Sequence, residues 1–521
     1  MKKILNIFKL LVLSTILLVG CVDHLDVDTY NNITGASFWK VPGDAVAYAN
    51  GIQARLMSTL DGNDNYVGIT DARTDAFRPG GLGPRFTGHI QLHTQTTTLG
   101  GGNWSGYYNL LHHCNLLFVK IEEIEFDDAA EKDAALAVAY FTRAFIYFDL
   151  VRIYGDVPLV LEPTLGKPEL ENYYARTSKD EVLAQVKADV VKAISLFPSG
   201  IADKNFISKP AALALKAEVY MWTARAYSTS AVVADLDVAI ASIDAIPGAS
   251  GGSVSFVTSD WKSIFKRQAN DCPEYIWANY FDYLVGPKNN LHDAITLRID
   301  NVPIEMQGTF PIAVTDEGLN RIEIGSNMNT IFRKYETIEA HDNPFDKTDD
   351  AGPFYDKRDL RYINSMVDTN GDGSTNVCIK FPGILVTTDN RRYWDNDLPI
   401  YRWTGMLLLK AEALLAKGQT SAVVDILNMT RTRAGLANYS GATDFNTLEN
   451  ELLDEVAREM LAENQRWWGL IRAHKVGQNV PRFMANRGDD STDANIWNFY
   501  YWPIAESVKI KNDKLVQSPG Y

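Results

Sequence analysis

The sequence predicts a mainly α protein of paired helices, interrupted by an irregular, loop-rich inserted region that contains short strands. Three observations predict it. Apolar residues recur at helical spacing over long stretches that break at Gly and Pro. A helix-turn-helix plan appears twice: Leu213, Lys216, Ala217 and Glu218 lead to Ser230-Ala231-Val232-Val233, and Leu407, Lys410, Ala411 and Glu412 lead to Ser421-Ala422-Val423-Val424. Between Pro247 and Pro399 the helical period fades, and Gly, Pro, Asn and Asp punctuate short apolar runs.

The chain opens with Lys2, Lys3 and Lys9 around an apolar segment, Leu10 to Val19, roughly half the ~20 residues that a spanning helix needs. Leu18-Val19-Gly20 before Cys21 resembles the cleavage box of bacterial lipoprotein signals. Residues 1–20 are therefore read as a signal peptide and Cys21 as the acylated first residue of the mature chain. Residues 21–40 follow as a tether, kept solvated by Asp23, Asp26 and Asp28. No second apolar run of spanning length is expected, which leaves lipid as the only membrane attachment. Acidic residues just behind such a cysteine resemble a signal for display on the outer face of the outer membrane.

Residues 41–246 form the first helical region. Helices are predicted over Pro42–Leu60, Gly106–Glu125 and Asp133–Tyr154, the last admitting close neighbours at Ala135, Ala139 and Ala144 and stopping at Gly155, Asp156 and Pro158. Ser178 with Glu181 fits a capping box ahead of the stripe Val182, Val186, Val190, Ile194 and Phe197, and Pro198 ends that helix. Residues 247–399 are the insertion, with strands expected at Glu274–Tyr280 and Arg361–Val367. Residues 400–521 return to helices from Ile400 to about Arg472 and close in an extended tail. Such pairs are tetratricopeptide-like, and each unit buries its apolar face only against its neighbours.

Signal cleavage leaves 47 basic against 65 acidic residues, a net charge of −18. That surface repels phosphate backbones and excludes nucleic acid as a partner. Cys114, Cys272 and Cys378 are scattered without CxxC spacing, so buried thiols are expected instead of disulfides or a cysteine metal site. His89 with His93, and His112-His113-Cys114, lack the companions of a zinc site. Asp368-Thr369-Asn370-Gly371-Asp372-Gly373 opens like an EF-hand loop, which makes Asp368, Asn370 and Asp372 candidate ligands of a structural calcium. Ile379 stands where the bidentate Glu belongs, and Asn-Gly and Asp-Gly also build tight hairpin turns, so a plain turn is the competing reading. No other cofactor is expected.

A set of landmarks then falls in order along the chain. Phe141-Thr142-Arg143-Ala144, Tyr154-Gly155-Asp156-Val157-Pro158-Leu159 and the helix Ser178 to Phe197 come first. Asp356-Lys357-Arg358-Asp359-Leu360, Pro399-Ile400-Tyr401-Arg402 and Lys410-Ala411-Glu412-Ala413 follow. Arg458-Glu459, Glu463, Arg466-Trp467 and Leu470-Ile471-Arg472 mark a late helix. Trp502-Pro503-Ile504, Asn512 and Gln517-Ser518-Pro519-Gly520-Tyr521 close the chain. From Cys21 to Tyr521 these residues resemble the SusD/RagB family of outer-membrane nutrient-binding lipoproteins; Gly469 departs from it, standing where an acidic residue is common. The resemblance implies an α fold of tetratricopeptide-like pairs with an irregular ligand-bearing face. It also implies a non-catalytic role as the lid of a SusC-like TonB-dependent transporter, capturing oligosaccharide for import.

Sugars offer apolar C–H faces and rings of hydroxyls, so a glycan site combines exposed Trp or Tyr with Asp, Asn or Arg. Asp61, Asn63, Asp71, Asp75 and Arg78 lie between the first helices, and Trp104, the first stacking candidate, follows them. In the insertion, Tyr283, Arg391, Tyr393 and Trp394 have the same mixed chemistry. The plainer alternative is that each aromatic packs its own loop. Trp467 and Trp468 read as packing or interface residues, and Glu455, Glu459 and Glu463 with Arg458 and Arg466 as a solvated or ion-paired helix face. Two competing functions remain: a RagB-type peptide or glycopeptide receptor, and a lipoprotein glycosidase using two carboxylates about 5 to 9.5 Å apart.

Overall fold

The computed structural model describes residues 38–61, 69–79, 86–99, 102–165, 171, 173–282, 284, 286, 322–334, 359–368, 376–381, 383–386, 391–393, 395–487 and 497–521. Its first helices are α1 (Pro42–Asp61), α2 (Ser105–Lys120), α3 (Ala129–Tyr154), α4 (Lys179–Leu196), α5 (Lys209–Arg225) and α6 (Val233–Asp244). After the insertion come α7 (Trp403–Ala416), α8 (Thr420–Arg433), α9 (Phe445–Glu459) and α10 (Arg466–Arg472). From α2 to α6 each helix packs on the next, and α6 packs directly on α7, which packs on α8 and α9. The insertion interrupts the sequence and leaves the stack whole. Both copies of the repeated plan are helix pairs, α5/α6 and α7/α8.

Local signals set the helix ends. Asp128 starts α3 four residues before the expected point, because its side chain accepts from the Ala130 amide at 2.8 Å. Gly155 stops it at φ 74, where a Cβ would meet the Tyr501 ring at 2.8 Å. Ser178 caps α4 by accepting from the Glu181 amide at 3.3 Å. The expectation of no second apolar run is corrected by α3: its length and composition would span a membrane, yet 78% of its apolar 18-residue stretch is buried inside the protein. It is a core helix.

The short strands are β1 (Phe77–Pro79), β2 (Tyr275–Asn279), β3 (Ile322–Ile324), β4 (Met366–Asp368), β5 (Asn376–Cys378), β6 (Ile384–Val386), β7 (Arg391–Tyr393) and β8 (Leu398–Arg402). β2 and β8 pair antiparallel and close the root of the insertion. A four-stranded sheet runs β1-β3-β5-β4, and β6 pairs with β7. Two sequence readings shift here. The strand expected over Arg361–Val367 is a helical turn, Leu360–Ser365, capped by Asp359, and β4 begins only at Met366. Ile400–Arg402 is strand, so helix resumes at Trp403. Cys114, Cys272 and Cys378 are free and buried, as expected.

The Glu455-Glu459-Glu463 series is ion-paired but not solvated. Arg361 donates to Asp359, Glu455 and Glu459; Arg402 to Glu274, Glu459 and Glu463; Arg458 to Glu451 and Glu455. Glu459 also accepts from Arg433 at 2.8 Å and from the Trp261 indole at 3.0 Å. The insertion covers this face of α9, and excluding water makes every pairing obligatory. Trp467 and Trp468 are buried packing residues.

Candidate functional site

A cavity of about 390 Å³ opens between the first turn of α2, the extended segment Pro158–Thr164, the pair Tyr173-Tyr174 and the tail Ser507–Leu515. Its size lies within the range of small-ligand pockets. Trp104, at the start of α2, forms one wall, its ring edge-on to Tyr108 at 5.7 Å and to Tyr154 at 5.0 Å. Tyr108, Tyr173 and Tyr174 are half-buried, and Asn103, His112, Thr164, Lys511 and Asn512 add polar groups.

Hydrogen bonds fix the walls. The Tyr108 hydroxyl donates to the Pro158 carbonyl at 2.7 Å. Asn512 donates to the Tyr174 carbonyl at 3.0 Å and Lys514 to that of Tyr173 at 2.8 Å, so the tail holds the tyrosine pair. The tail is itself clamped: Gly102 exchanges bonds with Pro503 and Ala505 at 2.9 and 3.1 Å, and Gln517 both accepts from and donates to the Ile504 backbone at 2.8 Å. A side chain at position 102 has no room, since its Cβ would sit 1.9 Å from the Tyr154 hydroxyl. The Thr164 amide donates to His112 Nδ1 at 3.2 Å, which places the proton of neutral His112 on Nε2. Burial pushes the His112 pKa down, so it stays neutral near pH 7. Stacking faces beside amide, imidazole and ammonium donors are what a sugar ring requires.

The structure divides the residues picked from sequence. Asp71 is 1% exposed and accepts from the Asn464 amide at 2.9 Å; burial pushes its carboxyl up to about 7. Asp75 is held by both arms of Arg466 at 2.6 and 2.8 Å and by Asn327. Arg78 spends its fork on Glu323 at 2.9 and 2.7 Å. The expectation that these three face a sugar is corrected: Asp71 and Asp75 tie their loop to the segment around α10, and Arg78 ties β1 to β3. Trp104 lines the cleft, and at 5% exposure it serves more as a wall than as an open platform. The half-buried tyrosines present the rings, and the sequence reading missed them; Tyr173-Tyr174, adjacent aromatics in a polar connection, were the available signal.

Asp61 is the last residue of α1. Arg391 and Tyr393 lie on β7, opposite Val386 and Ile384. Asp368 closes β4 opposite Asn376. Cys21, Asn63, Tyr283, Trp394, Asn370 and Asp372 lie outside the described residues.

A stacked helical array bearing an aromatic cleft is the architecture of a repeat-built binding protein. The chain belongs to the SusD/RagB family. A SusD family model matches residues 384–521, and a second, described as starch-binding and associating with the outer membrane, matches residues 87–221. The SusD-like protein P38 of Formosa agariphila is 24% identical over 540 residues, covering 98% of this chain and 99% of its own. Among solved structures, NanU of Bacteroides fragilis superposes with a TM-score of 0.73 at 24% identity, covering 95% of this chain and all of its own. A laminarin-binding SusD-like protein does so with 0.70 at 18% identity, covering 92% and 99%.

Proposed function

We propose that this protein is a non-catalytic glycan receptor, anchored through acylated Cys21 at the outer face of the outer membrane, that hands oligosaccharides to a SusC-like TonB-dependent transporter. The carrying observation is positional. The cleft walls supplied by α2, Pro158–Thr164 and Tyr173-Tyr174 all fall inside the segment that matches the starch-binding family model. The laminarin-binding neighbour, which shares the fold, supports the same ligand class. In this reading Trp104, Tyr108, Tyr173 and Tyr174 stack against sugar rings, while Asp61, Asn63, Tyr283, Arg391, Tyr393 and Trp394 contribute further contacts.

The test is a glycan array followed by calorimetry on soluble protein lacking residues 1–21. Tyr173→Ala and Tyr174→Ala are expected to weaken the best ligand about tenfold each, equivalent to about 1.4 kcal/mol. Unchanged affinity in both, and in Trp394→Ala, removes the site. A response to peptides alone, or release of reducing ends from a polysaccharide, overturns the receptor reading.

A further inference from the structure

Buried arginines in this protein have carboxylate partners: Arg143 with Asp189, Arg361 with Asp359 and Glu455, Arg402 with Glu274, Arg466 with Asp75. Arg73 has none among the described residues. It is 1% exposed, its guanidinium lies 3.9 Å over the Trp467 ring, and Nη2 donates to the Tyr500 carbonyl at 3.0 Å. Its Nε and Nη1 have no hydrogen-bond partner among the described residues.

Two more arginines, from the short helix Pro481–Arg487, close on the same spot. Arg482 donates to the Thr74 carbonyl at 2.6 Å, and Arg487 donates to those of His93 and Gln95 at 2.6 and 2.9 Å. His93 Nε2 lies 2.8 Å from the Arg73 carbonyl, so the three side chains bracket one backbone knot. Both outer arginines are half-buried, and among the described residues neither pairs with a carboxylate. The acidic group felt by Arg482 is Asp75, which Arg466 already holds on both oxygens. His93 adds no charge, because burial and the neighbouring arginines drive its pKa well below the usual imidazole value. Three cations without a carboxylate partner among the described residues, in a chain of net charge −15, are a costly arrangement, and a bound anion is what would offset it.

We propose that Arg73, Arg482 and Arg487 form an oxyanion subsite, so that the captured glycan carries sulfate or carboxylate groups. This specifies the ligand class and rests on the glycan-receptor reading. Arg482 and Arg487 are the contacting cations, each keeping N–H groups beyond those given to the carbonyls for charge-assisted hydrogen bonds with a sulfate or carboxylate, and Arg73 is the buried charge behind them. The tail connects this subsite to the cleft: it leaves the cleft wall at Leu515 and ends with the Tyr521 ring 5.2 Å from the Arg487 guanidinium.

Calorimetry on the soluble protein with oligogalacturonate, a sulfated carrageenan oligosaccharide, maltohexaose, a polyglutamate peptide and sodium sulfate tests it. At least one acidic sugar is expected to bind about tenfold or more tighter than maltohexaose, and to lose about tenfold in the double variant Arg482→Gln/Arg487→Gln, shown folded by circular dichroism. Its affinity falls as salt rises. Maltohexaose binding that equals or exceeds both acidic sugars and is unmoved by the double variant overturns the subsite and leaves the receptor reading standing. Sulfate or polyglutamate binding that the double variant abolishes, with no sugar bound, keeps the subsite and overturns the receptor reading. Acidic-sugar binding unchanged in the double variant, or no binding of any probe, overturns the subsite.

Discussion

Arg402 donates to Glu459 at 3.0 Å with both side chains fully buried. The arginine ends β8, at the root of the insertion, and the glutamate ends α9, so this pair fastens the irregular region to the helical stack. Glu274 at the foot of β2 accepts from the same arginine at 2.8 Å.

Arg402→Met would leave Glu459, Glu463 and Glu274 each short of one cationic partner in a water-free interior, with Arg433 and Lys380 carrying the rest. A loss of about 3–5 kcal/mol in unfolding free energy is expected, read as a lower urea midpoint. A variant as stable as the parent would mean that water reaches this network.

Acid should unpick the same network. Arg361 and Arg458 hold the Glu455 carboxyl down at about 2, against about 4.5 unfolded, overcoming the desolvation that opposes them. A depressed carboxyl stabilises above its unfolded value, and that stability is lost as pH falls through the folded one. The midpoint of thermal unfolding should therefore drop steeply between about pH 4.5 and 2. In Glu455→Gln this part of the slope is expected to flatten.

Asp71 has the opposite sign. Burial raises its carboxyl to about 7, so the ionised form is penalised in the folded state, and stability is lost as pH rises from about 4 through 7. Asp71→Asn keeps an oxygen for the Asn464 amide and removes the charge. It should raise stability at pH 8 by up to about 4 kcal/mol, with the gain vanishing near pH 4. Equal shifts at both pH values would refute the ionisation argument.

Gly469→Ala should stabilise. The added Cβ meets Leu453 Cδ2 at 3.7 Å and Arg472 Nη2 at 3.8 Å, both ordinary contacts, on a helix where Gly costs about 0.5–1 kcal/mol against Ala. Differential scanning calorimetry should show a higher Tm.

Gly102→Ala should free the tail. The clash with Tyr154 breaks the exchange with Pro503 and Ala505, so amide hydrogen exchange at Ile504 and Ala505 should accelerate while that of α4 stays slow. Ligand affinity is expected to fall with it.

Helix termini were legible because their causes are local: the Ser178 cap and the Gly155 stop need only their neighbours in sequence. Glu459 was not. Its partners Arg402 and Trp261 stand 57 and 198 residues away, and a glutamate at helical spacing among arginines looks the same whether water or an insertion lies over it. Asp71 and Asp75 were misplaced for the same reason, since Asn464 and Arg466 are 393 and 391 residues distant. Trp104 beside Gly and Asn is legible in the sequence as an aromatic at a loop, but its degree of exposure depends on the tail.

That tail has a consequence for how the cleft assembles. Residues 502–517 supply one wall of the cleft and clasp Tyr173-Tyr174 into place. A chain trimmed before them would be a helical body with an unfinished cleft, so an intact cleft reports that segments 338 residues apart in sequence have already docked.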